Sequence, residues 1–296
     1  VNSAATAAAT AIASGADPNR VWRELVTTGA LEAAARTEPG ALLDGTRVAA
    51  ALARAGIDVP WLGTVAVGEV LRSSPPTSPR IDEAVFTGDA IGSLVDRASP
   101  SPIESSVANF DRRVPRWTAT ISADRVSVEV TDNERSAPLA VLHEEQAVRA
   151  FIARVRLRLA AHLGGVVRGA LDEAVIHAHA RHQFGRPLAA FQSVAFALAE
   201  IEARTRALEA LVEEIALQLD AGENRMAEAA GTLALAGTFA RRATATTLHL
   251  HGAAGLTASA SAGTRYLEAA AASIMLGAPP LLRAEAATAL WPPAQP

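Results

Sequence analysis

The sequence contains no cysteine and no lysine. Without thiols there are neither disulfides nor thiolate metal sites, and cysteine usage leaves the redox compartment open. Without lysine, all 27 fully charged basic residues are arginine, a bias that reads as genomic base composition. They stand against 31 acids, for a formal net charge of −4. Charge this close to neutral, and dispersed, argues against a nucleic-acid or membrane-binding surface. Long apolar runs are missing too. No stretch approaches a membrane span, and the Ala-rich opening Val1 to Ala16 lacks the basic region of a signal peptide, so the expected location is cytoplasmic. What the chain does have is 296 residues, half of them apolar, enough for a large core in one to three domains.

Residues 1–72 read as a small helical bundle. Asp17-Pro18 is an N-cap with proline at the first helical position, followed by Val21, Trp22, Leu25 and Val26 on one face. Gly29, Gly40 and Gly56 punctuate it, and Leu42–Ala55 and Trp61–Leu71 supply two more apolar helical segments. From residue 73 to 140 the texture changes. Ser73 to Pro79 reads as a linker, and Pro100, Pro102 and Pro115 forbid long helices. Trp117–Ile121 and Val126–Val130 alternate as half-buried strands joined through Ala123-Asp124, with Ala84–Phe86 a third candidate strand.

Residues 141–296 are helical throughout. The predicted helices are His143–Ala180, Phe191–Asp220, Arg225–His251, Ala262–Met275 and Leu281–Leu290, with turns at Gly185, Gly222 and Gly255 between the first four. Long helices with short loops make an antiparallel bundle. The Ala-rich run Ala227 to Ala240 suits close helix approach, within or between subunits.

The chain is organised around Arg181 to Gln192, where a Gly-Arg-Pro turn joins two antiparallel helices. On its own this is an arginine-capped helical hairpin. Its wording, Arg-x-Gln-Phe-Gly-Arg-Pro-Leu followed by Phe-Gln, resembles a signature of the acyl-CoA dehydrogenase family, and His249-Leu250-His251-Gly252-Ala253-Ala254-Gly255-Leu256-Thr257 resembles that family's Gln-x-His-Gly-Gly-x-Gly-Tyr-Thr turn. The resemblance implies a mainly α, acyl-CoA dehydrogenase-like fold: N-terminal helical domain, reduced middle β region, C-terminal four-helix bundle serving as oligomer core. The middle region has no counterpart to the family's Glu-x-x-Gly-Ser-Asp or Trp-Thr-Ser segments. A degenerate flavin-ring site is therefore expected.

By the same resemblance, Arg181 would contact the pyrophosphate of an FAD shared across a subunit interface, and Phe184 would pack at its adenosine end. Gln192 and His249 belong to the same set, and Gly252 and Gly255 would let backbone amides approach phosphate oxygens. His249 replaces a family glutamine and Ala253 a glycine, although a histidine still donates one hydrogen bond. Arg156 matches a family arginine near the acyl-CoA site. The catalytic base is different. Family members use a glutamate to take the α-proton while hydride passes to flavin. One family position for it holds Leu276, in Ile274-Met275-Leu276-Gly277-Ala278, and the alternative position holds Val155. Neither can accept a proton.

The resemblance therefore implies a base-less subunit that completes the FAD site of a catalytic acyl-CoA dehydrogenase partner in a heterotetramer, or else a homodimer when alone. Actinobacterial heterotetramers, some acting on steroid or other bulky acyl-CoA, set the precedent. The competing readings are an acyl-CoA enzyme with altered chemistry, such as a dehydratase, and a flavin-free structural homo-oligomer. Histidines at 177, 179, 182, 249 and 251 invite a metal, but residues two apart on a helix point to nearly opposite faces and chelate poorly, so none is expected. Glu200, Glu202, Glu213 and Glu214 read as a solvated face with Arg204 and Arg206 nearby.

Overall fold

The computed structural model describes residues 4–13, 17–73, 81–87, 90–97, 116–122, 124, 127–132, 138–257 and 260–291. Five helices open the chain: α1 (Ala4–Ala13), α2 (Pro18–Thr27), α3 (Ala30–Ala34), α4 (Ala41–Ala55) and α5 (Trp61–Ser73). The start of α2 is as its sequence predicts, with the Asn19 amide donating to the Asp17 carboxylate at 3.2 Å and Pro18 in the first turn. Gly29, Gly40 and Gly56 all take positive φ at helix boundaries. The Ala-rich opening forms α1, which buries Ala4, Ala7, Ala8 and Ala11 as one stripe.

The middle region holds α6 (Ile81–Phe86) and a sheet of β1 (Ile91–Asp96), β2 (Arg116–Ile121), β3 (Val128–Asp132) and β4 (Ala140–Leu142) in that spatial order. β1 runs parallel to β2, and the other neighbours are antiparallel. Two expectations need correction. Ala84–Phe86 is helical, not extended, and the Phe86 ring lies against α5, with the Arg72 guanidinium 4.5 Å from its centroid. The strand expected over Val126–Val130 is found at Val128–Asp132, with Ser122 and Ser127 closing the turn before it through bonds of 3.0 and 3.1 Å, and Ala123 and Val126 lie outside the described residues. The expected alternation survives the shift: Val128 and Val130 are buried and Glu129 is exposed. Ser73 ends α5, while the rest of the expected linker and Pro100, Pro102 and Pro115 lie outside the described residues.

The sheet seats on α5 through two glycines. A Cβ on Gly63 would stand 2.3 Å from the Gly92 carbonyl oxygen, and one on Gly92 would stand 2.5 Å from that of Gly63. Helix and strand backbones therefore touch here, and Thr64 Oγ1 accepts the Gly92 amide at 2.9 Å.

The second half contains α7 (Glu145–Ala180), a small hairpin of β5 (His182–Gln183) and β6 (Arg186–Pro187), α8 (Gln192–Asp220), α9 (Met226–His251), α10 (Ser261–Ala272) and α11 (Pro279–Leu290). Helix α10 stops short of its expected end at Met275, because the chain turns there and Leu276 takes φ +58. α7 is the central column. Between Phe151 and Ala174 it is buried on nearly every side, as expected of a helix surrounded by others. Gly165 and Gly169 do not interrupt it. They let α4 approach, since a Cβ on Gly165 would meet the Ala50 carbonyl oxygen at 2.2 Å and one on Gly169 the Arg54 oxygen at 2.5 Å.

Both ends of α4 are held by side chains from the C-terminal helices. The Asp220 carboxylate, at the end of α8, accepts the Leu42 and Leu43 amides at 3.2 Å each. Arg265 of α10 donates to the Ala53 and Arg54 carbonyls at 3.0 and 2.8 Å. An anion at the first turn and a cation at the last match the helix dipole. The N-terminal bundle and the C-terminal helices are thus bonded through α4.

Candidate functional site

The two sequence blocks meet at one end of the bundle, where α7 and α9 both terminate. Arg181 closes α7, its amide donating to the His177 carbonyl at 2.8 Å and its own carbonyl accepting from Leu188 at 2.8 Å. Among the described residues no carboxylate pairs with its exposed guanidinium. The expected simple turn is the β5–β6 hairpin, with Phe184 and Gly185 at its tip at φ +50 and +78. Phe184 is 92% exposed and meets Phe191 edge-on at 6.4 Å, while the Arg186 guanidinium lies 4.0 Å over the Phe191 ring. A phenylalanine held outward on a left-handed backbone is both strained and unburied. Gln192 opens α8 and is exposed.

The second block arrives through α9. His249 is exposed in its last turn. Gly252 follows at φ 61 and ψ −146, a conformation open essentially to glycine alone, with nothing within 4 Å of where a Cβ would stand. Gly255 is small for a different reason. It is buried, and a Cβ there would press on His251 Cβ at 2.8 Å and Leu248 Cδ1 at 3.0 Å, so its smallness serves local packing. The contact that joins the blocks is one the sequence reading missed: the rings of His177 and His251 stack at 4.5 Å. Neither His-x-His pair places both of its rings there, and among the described residues no group of three His, Cys, Asp or Glu could hold a metal ion.

Toward the core the picture is apolar. Val155 and Leu276 are 2% and 1% exposed and belong to one continuous hydrophobic cluster. Beside Val155, Arg156 is fully buried, and its two Nη atoms donate to the Glu285 carboxylate of α11 at 2.6 and 2.9 Å. That bidentate pair fastens α7 to α11 and leaves Arg156 facing a carboxylate of its own chain rather than an open surface.

Two residues on either side of Arg156, Arg154 and Arg158 are buried as well. Both engage Glu69 of α5, with Arg154 Nε 2.9 Å from one carboxylate oxygen and Arg158 Nη1 donating to the other at 2.6 Å. Arg154 also donates to Asp220 at 3.3 Å and to the Arg36 carbonyl at 2.9 Å, and Arg158 to the Ala34 carbonyl at 3.0 Å. Burial pulls the Arg158 pKa below the ordinary arginine value, and Glu69 opposes this. The alternation Arg154-Val155-Arg156-Leu157-Arg158 was the available signal. Arginines two apart sweep around a helix, so they cannot all reach solvent from a buried column.

The carboxylates expected on a solvated face are largely there, with Glu200 pairing Arg204 at 2.7 Å and Glu213 pairing Arg47 of α4 at 3.0 Å. Glu202 pairs with both Arg206 and Arg168, which lowers its pKa, the Arg206 bond being the largest cause.

Residues 146–290 match the family model for the acyl-CoA dehydrogenase C-terminal domain. The 3-(aryl)acrylate reductase of Clostridium sporogenes is 37% identical over 100 residues, which is 34% of this chain and 26% of that protein. The match thus spans about a quarter of that relative's length. Among solved structures, a variant of the Tcur3481-Tcur3483 steroid ACAD is similar at TM-score 0.78 and 18% identity, covering 97% of this chain and 96% of that one. The ChsE4-ChsE5 complex from Mycobacterium tuberculosis is similar at TM-score 0.73 and 17% identity, covering 99% of each chain.

Proposed function

We propose that this chain, which belongs to the acyl-CoA dehydrogenase family, is a base-less subunit that completes the FAD site of a catalytic partner. The observation that carries the reading is that both family base positions, Leu276 and Val155, are apolar and buried. A carboxylate able to take an α-proton has to stand at the thioester, and these residues offer none. The buried Arg156–Glu285 pair agrees with this, since the arginine is already neutralised inside the chain. The names of both solved structures join two components, and in each the matched chain shares this chain's fold over nearly its full length.

Members of the family generally use FAD, and the residues at the α7 and α9 ends fit one edge of it. Arg181 presents an exposed guanidinium able to fork across two phosphate oxygens. Gly252 offers an open backbone with room for close approach, and Phe184 an unburied ring. When bound, the flavin supplies a two-electron acceptor for desaturation of an acyl-CoA thioester. This chain's part is to hold the phosphates, cover the adenosine end and exclude water from the shared site. Its own bundle carries exposed apolar side chains, among them Ile176, Phe196, Leu267 and Leu281, for contact with that partner or with a second copy.

The purified chain alone is expected to show no desaturation of acyl-CoA substrates with an artificial electron acceptor. Turnover that scales with its concentration would overturn the base-less reading. Hydration of an enoyl-CoA by the chain alone would move the assignment to a dehydratase.

A further inference from the structure

We infer that His177, its ring stacked on that of His251, is a positioning residue that takes up a proton when a diphosphate binds at Arg181, an inference that rests on the flavin reading above. His177 lies one turn before the end of α7 and His251 is the last residue of α9. Their rings stack at 4.5 Å with an interplanar angle of 28°. His251 Nδ1 lies 2.8 Å from the Thr247 carbonyl oxygen and so carries a hydrogen, which fixes the ring that His177 stacks on.

Two features of this place work against each other. The C-terminal ends of two helices converge here and favour a cation. Arg181, one turn beyond His177, already supplies one. Burial first, then the charges of His251 and Arg181, hold the His177 pKa below the usual histidine value, while a hydrogen bond with the Leu250 backbone acts in the opposite sense. In the free chain His177 is therefore held toward its neutral form. No carboxylate of the described residues is seen to offset this. The closest along α7, Glu173, is engaged by Ser261 at 2.6 Å and by Arg265 at 2.9 Å from α10, and the Gly252–Leu256 turn that follows His251 has no titratable side chain. His179, His182 and His249 are exposed.

An arriving diphosphate neutralises Arg181 and reverses the sign of the local field. Protonation of His177 then becomes favourable, and the imidazolium reinforces the anion. Because the bound state has the higher pKa, affinity must rise as pH falls through the range where histidine titrates. FAD is a suitable probe, since both its phosphates are diesters and keep constant charge there.

The experiment is calorimetric titration of FAD into the full chain at about pH 6 and about pH 8, in buffers of different ionisation enthalpy. Wild type is expected to bind about three- to tenfold more tightly at the lower pH and to take up a fraction of a proton. His177→Phe keeps the stack and should bind with little dependence on pH and no proton uptake, with thermal unfolding as the control for folding. Binding that Arg181→Ala abolishes but pH does not alter would overturn this inference alone. No FAD binding at either pH would overturn this inference, which needs the diphosphate to bind at Arg181 of this chain, and the flavin reading falls with it if the co-purified complex also retains no FAD.

Discussion

Glu69→Ala is expected to destabilise the chain by about 3–5 kcal/mol, the usual consequence of removing one partner from a buried ion network. The substitution leaves Arg154 and Arg158, both nearly inaccessible to solvent, without the carboxylate they share. Neither guanidinium can escape by losing its proton, because arginine does not titrate in the accessible range. Glu69→Gln keeps the volume and one acceptor, and should fall between. The measurement is urea unfolding followed both by far-ultraviolet circular dichroism and by tryptophan fluorescence. A loss below about 1 kcal/mol would mean that the arginines reach water on their own. Replacing Arg154, Glu69 and Arg158 together by Met, Leu and Leu should recover part of the loss, since an apolar set of similar volume avoids the desolvation of those ions, while the Asp220 carboxylate, deprived of Arg154, keeps the Leu42 and Leu43 amides as donors. A triple variant as unstable as Glu69→Ala would instead show that the ions themselves contribute net stability.

Arg181→Ala is expected to weaken flavin retention in the assembled complex by about 2–3 kcal/mol, or about thirty- to a hundredfold, the scale of a charge-assisted bidentate contact. The hairpin should remain folded, because the bonds that hold Arg181 in place are made by its backbone amide and carbonyl. Arg181→Lys should recover only part of the loss, since an ammonium cannot fork across two phosphate oxygens. FAD content of the co-purified complex, measured for wild type and both variants, decides the matter. Equal flavin in all three would reduce the arginine to a helix end and favour the structural homo-oligomer.

The helices of the second half were legible because their periodicity is long and their ends are marked. Phe191–Asp220 was expected where Gln192–Asp220 is found, and Arg225–His251 where Met226–His251 is found. The middle region was harder to read for physical reasons. β1 contains Gly92, which reads as a breaker, yet the glycine is there to let the strand touch Gly63. β4 is three residues long and shows no period. Ala84–Phe86 has strand-like residue types, and its packing against α5 overrides that preference. The candidate site was readable only as two motifs. Their convergence follows from the packing of α7 against α9, helices far apart in sequence. The network of Arg154 and Arg158 with Glu69, Asp220 and the Arg36 and Ala34 carbonyls joins residues 66 to 124 positions apart, so local pattern could suggest buried arginines but not their partners.

The grip on both ends of α4 has a consequence for motion. The first-turn amides of a helix ordinarily lack a partner and trade their hydrogens with water soonest. Here the Leu42 and Leu43 amides are closed off by a carboxylate that arrives from the end of α8. They become free only when α8 lifts away, so their isotope exchange follows the opening of the C-terminal helices, although they sit near the beginning of the chain. A partner that clamps the C-terminal bundle would therefore slow two hydrogens belonging to a helix it need not touch.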